Sequence, residues 1–97
     1  MADEMTVSVL DPDGRSVVLS EGRWAHVTDG HPELHNFRKE VLETVQAPSR
    51  RLPGRALSEE WFYKADVGPS RWLKVVVRYD PSDSGRIVTA FARRSLP

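Results

Sequence analysis

The chain has 97 residues with no cysteine, and its 14 Lys and Arg balance its 14 Asp and Glu. This length suits one domain over residues 1–97, and the lack of cysteine excludes disulfides and thiolate metal sites. Because no apolar run approaches the roughly 20 residues of a membrane span, and Asp3 and Glu4 stand where a secretory signal would be basic, we expect a cytoplasmic protein without membrane contact.

The first half of the sequence predicts a hairpin and then a helical part. Val7 and Val9 alternate with polar residues, the Asp-Pro-Asp-Gly stretch (11–14) has turn chemistry, and residues 17–19 resume an extended pattern. These features predict an N-terminal hairpin over residues 1–20. The helical part covers residues 23–47 and opens with a short turn that Asp29 and Gly30 interrupt.

The clearest element is an amphipathic helix that begins at Pro32 and ends before Pro48. Its apolar stripe has helical spacing and consists of Leu34, Phe37, Val41, Leu42 and Val45. Pro32 suits the first helical position, where its missing N–H costs nothing. Because the residue before a proline avoids helical geometry, we expect His31 to be the N-cap of this helix.

The second half predicts a sheet over residues 57–95. The basic stretch at 49–60 is expected to be a loop, and three strand-like runs follow it: EWFYKAD, RWLKVVVRYD and GRIVTAFARR. In the last run, two sets should lie on opposite faces: Val88, Ala90 and Ala92 toward the helix, and Ile87, Thr89, Phe91 and Arg93 away from it. The predicted fold class is α+β, with the N-terminal β-hairpin and the amphipathic helix packed on an antiparallel sheet of three or more strands.

Charge is divided unevenly along the chain. Residues 1–49 hold four Lys and Arg against nine Asp and Glu, a balance of −5, and residues 50–97 hold ten against five, a balance of +5. If the two halves face different ways, the second half offers a basic surface to an anionic partner. The alternative is that the strands carry Arg and Lys only on solvated faces.

The histidines at positions 26, 31 and 35 lie within ten residues. His31 and His35 have the i,i+4 spacing of a zinc-binding helix pair, but Pro32 occupies the glutamate position of H-E-x-x-H and keeps His31 out of the helix. We therefore expect no zinc site, and we expect His35 to be a surface residue. His26 and His31 are candidates for acid/base chemistry. The alternatives are a backbone hydrogen bond for His26 and capping through a ring nitrogen for His31.

A histidine at a helix N-terminus meets the positive end of the helix dipole, which favours the neutral imidazole, and lies beside N–H groups that bind phosphate. A neutral imidazole can remove the proton of a ribose 2′-OH, which then attacks phosphorus while cations stabilise the developing charge. This chemistry needs no metal or cofactor. The chain offers His31 and His26 as the base, Lys64, Arg50, Arg51, Arg55 and Arg93 as cations, and Thr89 as a hydroxyl donor.

Short motifs in a fixed order resemble the barnase–EndoU–colicin–RelE-like nuclease superfamily, in its phage- and toxin-associated branch. They are W-A-H-V-x-x-x-H-P-E-L (24–34), V-L-E-T-V-x-x-P (41–48), W-F-Y-K (61–64), L-K-V-V-V (73–77) and I-V-T-A-F (87–91), within residues 23–93. The resemblance implies a helical part before a curved antiparallel sheet. It also implies a toxin that cleaves tRNA or messenger RNA without a metal, with an antitoxin or immunity protein as a partner.

Positions within these motifs supply the expected site. The catalytic set is His31, Lys64, Thr89 and His26, and the substrate-binding set is Arg55, Arg93, Arg51, Phe91 and Tyr63. Phe91 and Tyr63 are expected to stack RNA bases. Two alternatives to a ribonuclease stay open. One is a catalytically inactive RNA- or protein-binding module of the same fold, and the other is a phage-associated structural protein whose sheet edge pairs with another subunit.

Overall fold

The chain begins with the predicted hairpin. The computed structural model describes residues 6–97 and contains strands β1 (Thr6–Leu10) and β2 (Ser16–Ser20), paired antiparallel. In the turn between them, the Asp11 carboxylate accepts the backbone N–H groups of Asp13 and Arg15. The hairpin is confirmed for these residues, and its predicted part at residues 1–5 lies outside the described ones.

Helix α1 (Glu21–Gly30) is ten residues long, although the sequence predicted only a short turn. The Ser20 hydroxyl caps it by accepting the N–H of Arg23 at 3.0 Å. Trp24 and Val27 are buried on its inner side. The helix therefore extends over residues that the prediction had given to a short helical turn interrupted at Asp29 and Gly30.

The single long helix predicted from Pro32 onward is wrong. A 3-10 helix (Pro32–Leu34) and helix α2 (Arg38–Gln46) replace it. The break lies at Phe37, whose φ of −119° and ψ of 24° leave the helical region, while its N–H still bonds to the Leu34 carbonyl three residues earlier. This i+3 turn preserves the spacing of the apolar side chains, so the stripe alone does not reveal the break.

Six strands form one sheet in the order β1-β2-β6-β5-β4-β3. The other strands are β3 (Arg50–Pro53), β4 (Glu59–Ala65), β5 (Trp72–Tyr79) and β6 (Gly85–Arg93). Every neighbouring pair is antiparallel except β2 and β6, which pair in parallel over Val17–Val18 and Gly85–Arg86. The sheet is therefore mixed rather than wholly antiparallel, because the hairpin extends its edge beside the last strand.

Strand β3 lies in the stretch that was expected to be a loop. It is an edge strand and pairs only with β4. An edge strand uses only part of its N–H groups for pairing, so it tolerates Pro53, which has none. The loop prediction is wrong for residues 50–53 because an edge strand accommodates Pro53 and ends before Gly54.

A β-bulge in β6 changes which side chains face the helices. Thr89 lies opposite Val76 and Ile87 lies opposite Val77, so Val88 is an extra residue. Ile87 is consequently buried in the core at 1% exposure. Its predicted place beside Thr89 is wrong because one inserted residue reverses the alternation of the strand.

The core lies between the helices and one face of the sheet. Its members include Leu34, Val41 and Val45 from the helical part and Val17, Phe62, Val75 and Val77 from the sheet. The sheet is curved, because Arg51 of β3 donates to Asp13 of the first turn at 3.0 Å, whereas β2 and β3 would stand about 19 Å apart in a flat sheet. The α+β class is confirmed. No helix within residues 6–97 has the length and apolar character needed to cross a lipid bilayer.

Candidate functional site

The face of the sheet opposite the helices, termed the outer face, carries most of the predicted site residues. Because Phe62 and Val75 point into the core, their strand neighbours point outward. The outer face includes Trp61, Tyr63, Trp72, Lys74, Val76, Thr89, Phe91 and Arg93, together with Arg50 of β3, which pairs with Tyr63. Tyr63, Lys74 and Phe91 form one row across β4, β5 and β6, with Lys74 in the middle.

Lys74 lies at the centre of the outer face, and the residue is only 5% exposed. Its ammonium lies 3.5 Å from the ring centroid of Trp61, 5.3 Å from that of Phe91 and 5.6 Å from that of Tyr63. Within residues 6–97 it makes no hydrogen bond or ion pair. Burial lowers the pKa of Lys74, and the Arg93 and Arg55 guanidinium groups lower it further.

The Tyr63 hydroxyl is enclosed beside this lysine. Tyr63 has 0% exposure, and its ring meets Trp72 edge to face at 6.4 Å. In the described part of the chain, its hydroxyl has no hydrogen-bond partner. Burial raises the pKa of Tyr63, and the positive charge of Arg93 opposes this. Since the ring is buried, Tyr63 does not offer the base-stacking surface that was predicted.

His31 reaches the outer face at the end of α1. Its N–H donates to the Val27 carbonyl at 2.8 Å, and its ring stacks on Phe91 with 5.2 Å between centroids and 25° between planes. The Lys74 ammonium lies 5.3 Å from the same Phe91 centroid. The imidazole and the ammonium therefore lie beside the same aromatic ring. Nδ1 of His31 lies 3.7 Å from a Glu33 carboxylate oxygen.

The backbone around His31 differs from the prediction. His31 was expected to be the N-cap of a long helix, but it lies between α1 and the three-residue 3-10 helix, and its side chain caps neither. The long helix on which the expected phosphate site rested does not begin at His31, and the three residues of the 3-10 helix align too few peptide dipoles to replace it. The chemistry of His31 depends instead on its contacts with Phe91 and Glu33.

Two of the predicted catalytic residues lie away from the outer face. Lys64 pairs across the sheet with Leu73 on the helix side, and its Nζ donates to the Ala47 carbonyl at the end of α2 at 2.6 Å. His26 is exposed on α1, beside a shallow cavity of about 430 Å³ that Ser20 also lines. Neither residue therefore joins His31 on the sheet.

Arg51 was predicted to bind substrate but belongs to an ion-pair network where the first turn meets β4. It donates to Glu60 at 2.6 Å and to Asp13 at 3.0 Å. Arg15 donates to the same Glu60 at 2.8 Å and to Asp11 at 2.9 Å. Burial alone would raise the pKa of Asp11 and of Glu60, but their hydrogen bonds outweigh it and lower both. Arg51 therefore stabilises the fold through these ion pairs and is not available to bind substrate.

The structure brings together His31, Thr89, Arg93, Phe91 and Tyr63, with Arg55 close enough to act on the charge of Lys74. The sequence reasoning missed Lys74 as a site residue. Its signal was present, because Lys74 alternates with Leu73 and Val75 and so faces away from the core. Residues 6–97 bring no three His, Asp or Glu side chains together in an arrangement that holds a metal ion.

Comparisons of the chain with protein-family models, with curated proteins and with solved structures gave no match. The resemblance of its motifs to the nuclease superfamily stays a prediction.

Proposed function

We propose that the outer face binds single-stranded RNA and cleaves it without a metal, by attack of a ribose 2′-OH on the adjacent phosphorus. The observation that carries the proposal is that the His31 imidazole and the Lys74 ammonium contact the same Phe91 ring. This places a base and a cation on one surface. Arg93 and Arg55 add positive charge to it, and this charge suits a phosphodiester backbone.

His31 acts as the base. The Glu33 carboxylate on the Nδ1 side favours a proton on that nitrogen, which leaves the Nε2 lone pair free to accept the 2′-OH proton. The 2′-oxygen then bonds to phosphorus, and the bond from phosphorus to the 5′-oxygen breaks. The products are a 2′,3′-cyclic phosphate and a 5′-OH end that takes its proton from water. Arg93 and Arg55 stabilise the charge on the phosphate oxygens, and Thr89 donates a hydrogen bond.

Single-stranded RNA suits this surface better than a duplex. Trp61 and Phe91 are partly exposed, and unpaired bases stack on such rings, whereas paired bases are hidden in the duplex. The positive balance of residues 50–97 lies in the part of the chain that builds β3 to β6. The sheet therefore combines rings for the bases with cations for the backbone.

The test is incubation of the whole protein with a single-stranded RNA oligonucleotide in EDTA, with mass spectrometry of the products. We expect 2′,3′-cyclic ends, no cleavage of the all-deoxy oligonucleotide, and a rate at least about 100-fold lower in His31→Ala, the usual loss for a general base. The matched control is His35→Ala, because His35 is an exposed histidine four residues along the chain. Its rate should equal that of the wild type.

Three outcomes would contradict the proposal: an inactive wild type in EDTA, an active His31→Ala protein, or cleavage of the deoxy oligonucleotide. Lys64→Met should keep the cleavage rate, since Lys64 donates to the Ala47 carbonyl on the helix side.

One observation favours RNA binding without cleavage as a second function. Lys64, expected as a catalytic group, is engaged with the backbone, which leaves His31 with fewer predicted partners. A binding module would hold the RNA oligonucleotide with equal affinity in the wild type and in His31→Ala, with no product from either protein. The salt dependence of binding would still report its phosphate contacts.

A further inference from the structure

We infer that Lys74, Arg93 and the Tyr63 hydroxyl form a recessed binding site for a phosphate monoester dianion. The ligand is free phosphate, a nucleotide, or the terminal phosphate of an RNA. The inference goes beyond RNA cleavage and does not require it. Its basis is a cluster of donors on the outer face, two of them on buried residues, for which the described residues supply no acceptor.

The charge of Lys74 has no oxygen partner among the described residues. A lysine that is only 5% exposed normally pairs with a carboxylate or donates to carbonyl groups. The rings of Trp61, Phe91 and Tyr63 attract its charge, but ring faces do not replace oxygen acceptors for all of its N–H groups. An anionic oxygen from a ligand would satisfy them.

The charged groups around Lys74 are mostly positive. Arg93 and Arg55 both act on Lys74 with like charge. Glu59 is the acidic residue that opposes them, but its carboxylate already accepts the Trp61 indole N–H at 2.7 Å and Arg78 at 3.2 Å. The local balance is positive, and a doubly charged anion neutralises more of it than a singly charged one.

The accessible area at this cluster is small. The Tyr63 hydroxyl is enclosed and has no partner in residues 6–97, and Lys74 is only 5% exposed, so a ligand first meets the cluster at the exposed part of Lys74. A terminal phosphate has one ester link and can turn its free oxygens toward so small an area. A diester within a chain has two links that must both point away from it. The small accessible area therefore favours a monoester.

The experiment titrates the whole protein with inorganic phosphate, with adenosine 5′-monophosphate and with dimethyl phosphate. Calorimetry gives the stoichiometry, and tryptophan fluorescence follows Trp61 beside the lysine. We expect one phosphate or nucleotide per chain and affinity for dimethyl phosphate at least about tenfold weaker, because the diester carries one charge fewer. Binding should weaken below about pH 6, where a phosphate monoester loses its second charge.

Variants locate the site. Lys74→Met should abolish binding, and Tyr63→Phe should weaken it several-fold through loss of one donor. Lys39→Met is the matched control, since Lys39 is exposed on α2 and should bind like the wild type. Lys74→Met should also unfold at a higher temperature than the wild type in phosphate-free buffer, because it removes an unpaired buried cation. Phosphate should raise the unfolding temperature of the wild type but not that of this variant.

The possible results of these titrations either identify the ligand or overturn the inference. Adenosine monophosphate that binds more tightly than phosphate identifies a nucleotide or RNA end as the ligand, and equal affinities identify the free ion. A wild type that binds neither, a Lys74→Met protein that binds both, or equal affinity for the diester would overturn the inference. None of these results depends on whether His31 supports cleavage, so the two proposals fail separately.

Discussion

The Asp11 side chain attaches the first turn to the sheet. It has 0% exposure and accepts the Tyr79 hydroxyl at 2.7 Å and Arg15 Nε at 2.9 Å. Asp11→Asn removes the charge and should lower the free energy of unfolding by about 2 kcal/mol, since it weakens the charge-assisted hydrogen bonds that a buried carboxylate accepts from Arg15 and Tyr79. Urea denaturation monitored by circular dichroism measures the change.

The control for that substitution is Asp83→Asn, in the turn between β5 and β6. Asp83 is exposed and has a φ of 68°, a conformation that asparagine tolerates. Its free energy of unfolding should stay within about 0.5 kcal/mol of the wild type. Equal losses in the two variants would mean that the hydrogen bonds of Asp11 do not set its contribution.

The carboxylates of Asp11 and Glu60 make the stability of the fold sensitive to acid. Folding lowers the pKa of Asp11 and of Glu60 from their usual 3.8 and 4.5. A lowered pKa contributes stability that is complete above the unfolded value and is lost as the pH falls through the folded value. We expect a free energy of unfolding that is constant near neutrality and declines below about pH 4. In Glu60→Gln the decline should be shallower, and an unchanged slope would contradict this assignment.

At the scale of elements, the junction of β2, β6 and β5 depends on Gly85. A Cβ atom at this position would lie 2.7 Å from the Tyr79 ring and 3.1 Å from the Val17 side chain. The Tyr79 ring has little freedom to move, because its hydroxyl is bound to Asp11 and the Arg15 guanidinium lies over its face at 3.7 Å. Gly85→Ala should therefore lower the free energy of unfolding by about 2 kcal/mol.

A glycine with open surroundings provides the comparison. Gly30 ends α1, and a Cβ atom there would meet nothing within 4 Å. Gly30→Ala should raise the free energy of unfolding by about 0.5 kcal/mol, since alanine loses less backbone entropy on folding. Thermal unfolding of both variants tests the pair, and a loss in Gly30→Ala as large as in Gly85→Ala would contradict the steric explanation.

Sequence patterns predicted elements better than their boundaries and faces. The alternation in β5 and the turn at Asp11 are local features, so both were predicted correctly. The bulge at Val88 and the break at Phe37 keep nearly the same residue pattern as a regular strand and a regular helix, so they were missed. Lys64 is a site candidate through its place in the W-F-Y-K motif. Its contact with Ala47 depends on where α2 ends, which no local pattern shows.

The excess of positive charge in residues 50–97, opposite to that of residues 1–49, predicts salt-sensitive RNA binding. If Arg93 contacts a phosphate, Arg93→Gln should reduce the slope of log affinity against log salt concentration by about 0.7, the value for one contact on a single strand. Arg38→Gln changes the net charge equally but lies on α2, where Arg38 pairs with Glu21 at 3.2 Å. Its slope should match the wild type. Equal slopes in all three proteins would place the RNA elsewhere.

The short parallel pairing of Val17–Val18 with Gly85–Arg86 has a consequence for the order of assembly. It joins two segments that are far apart in the sequence, and such distant contacts must overcome a large loop-closure entropy before they form. During synthesis at about 5–20 residues per second, the hairpin waits several seconds for its neighbour. The finished sheet, with its tryptophans, lysine and imidazole in place, therefore forms only after β6 has been synthesised.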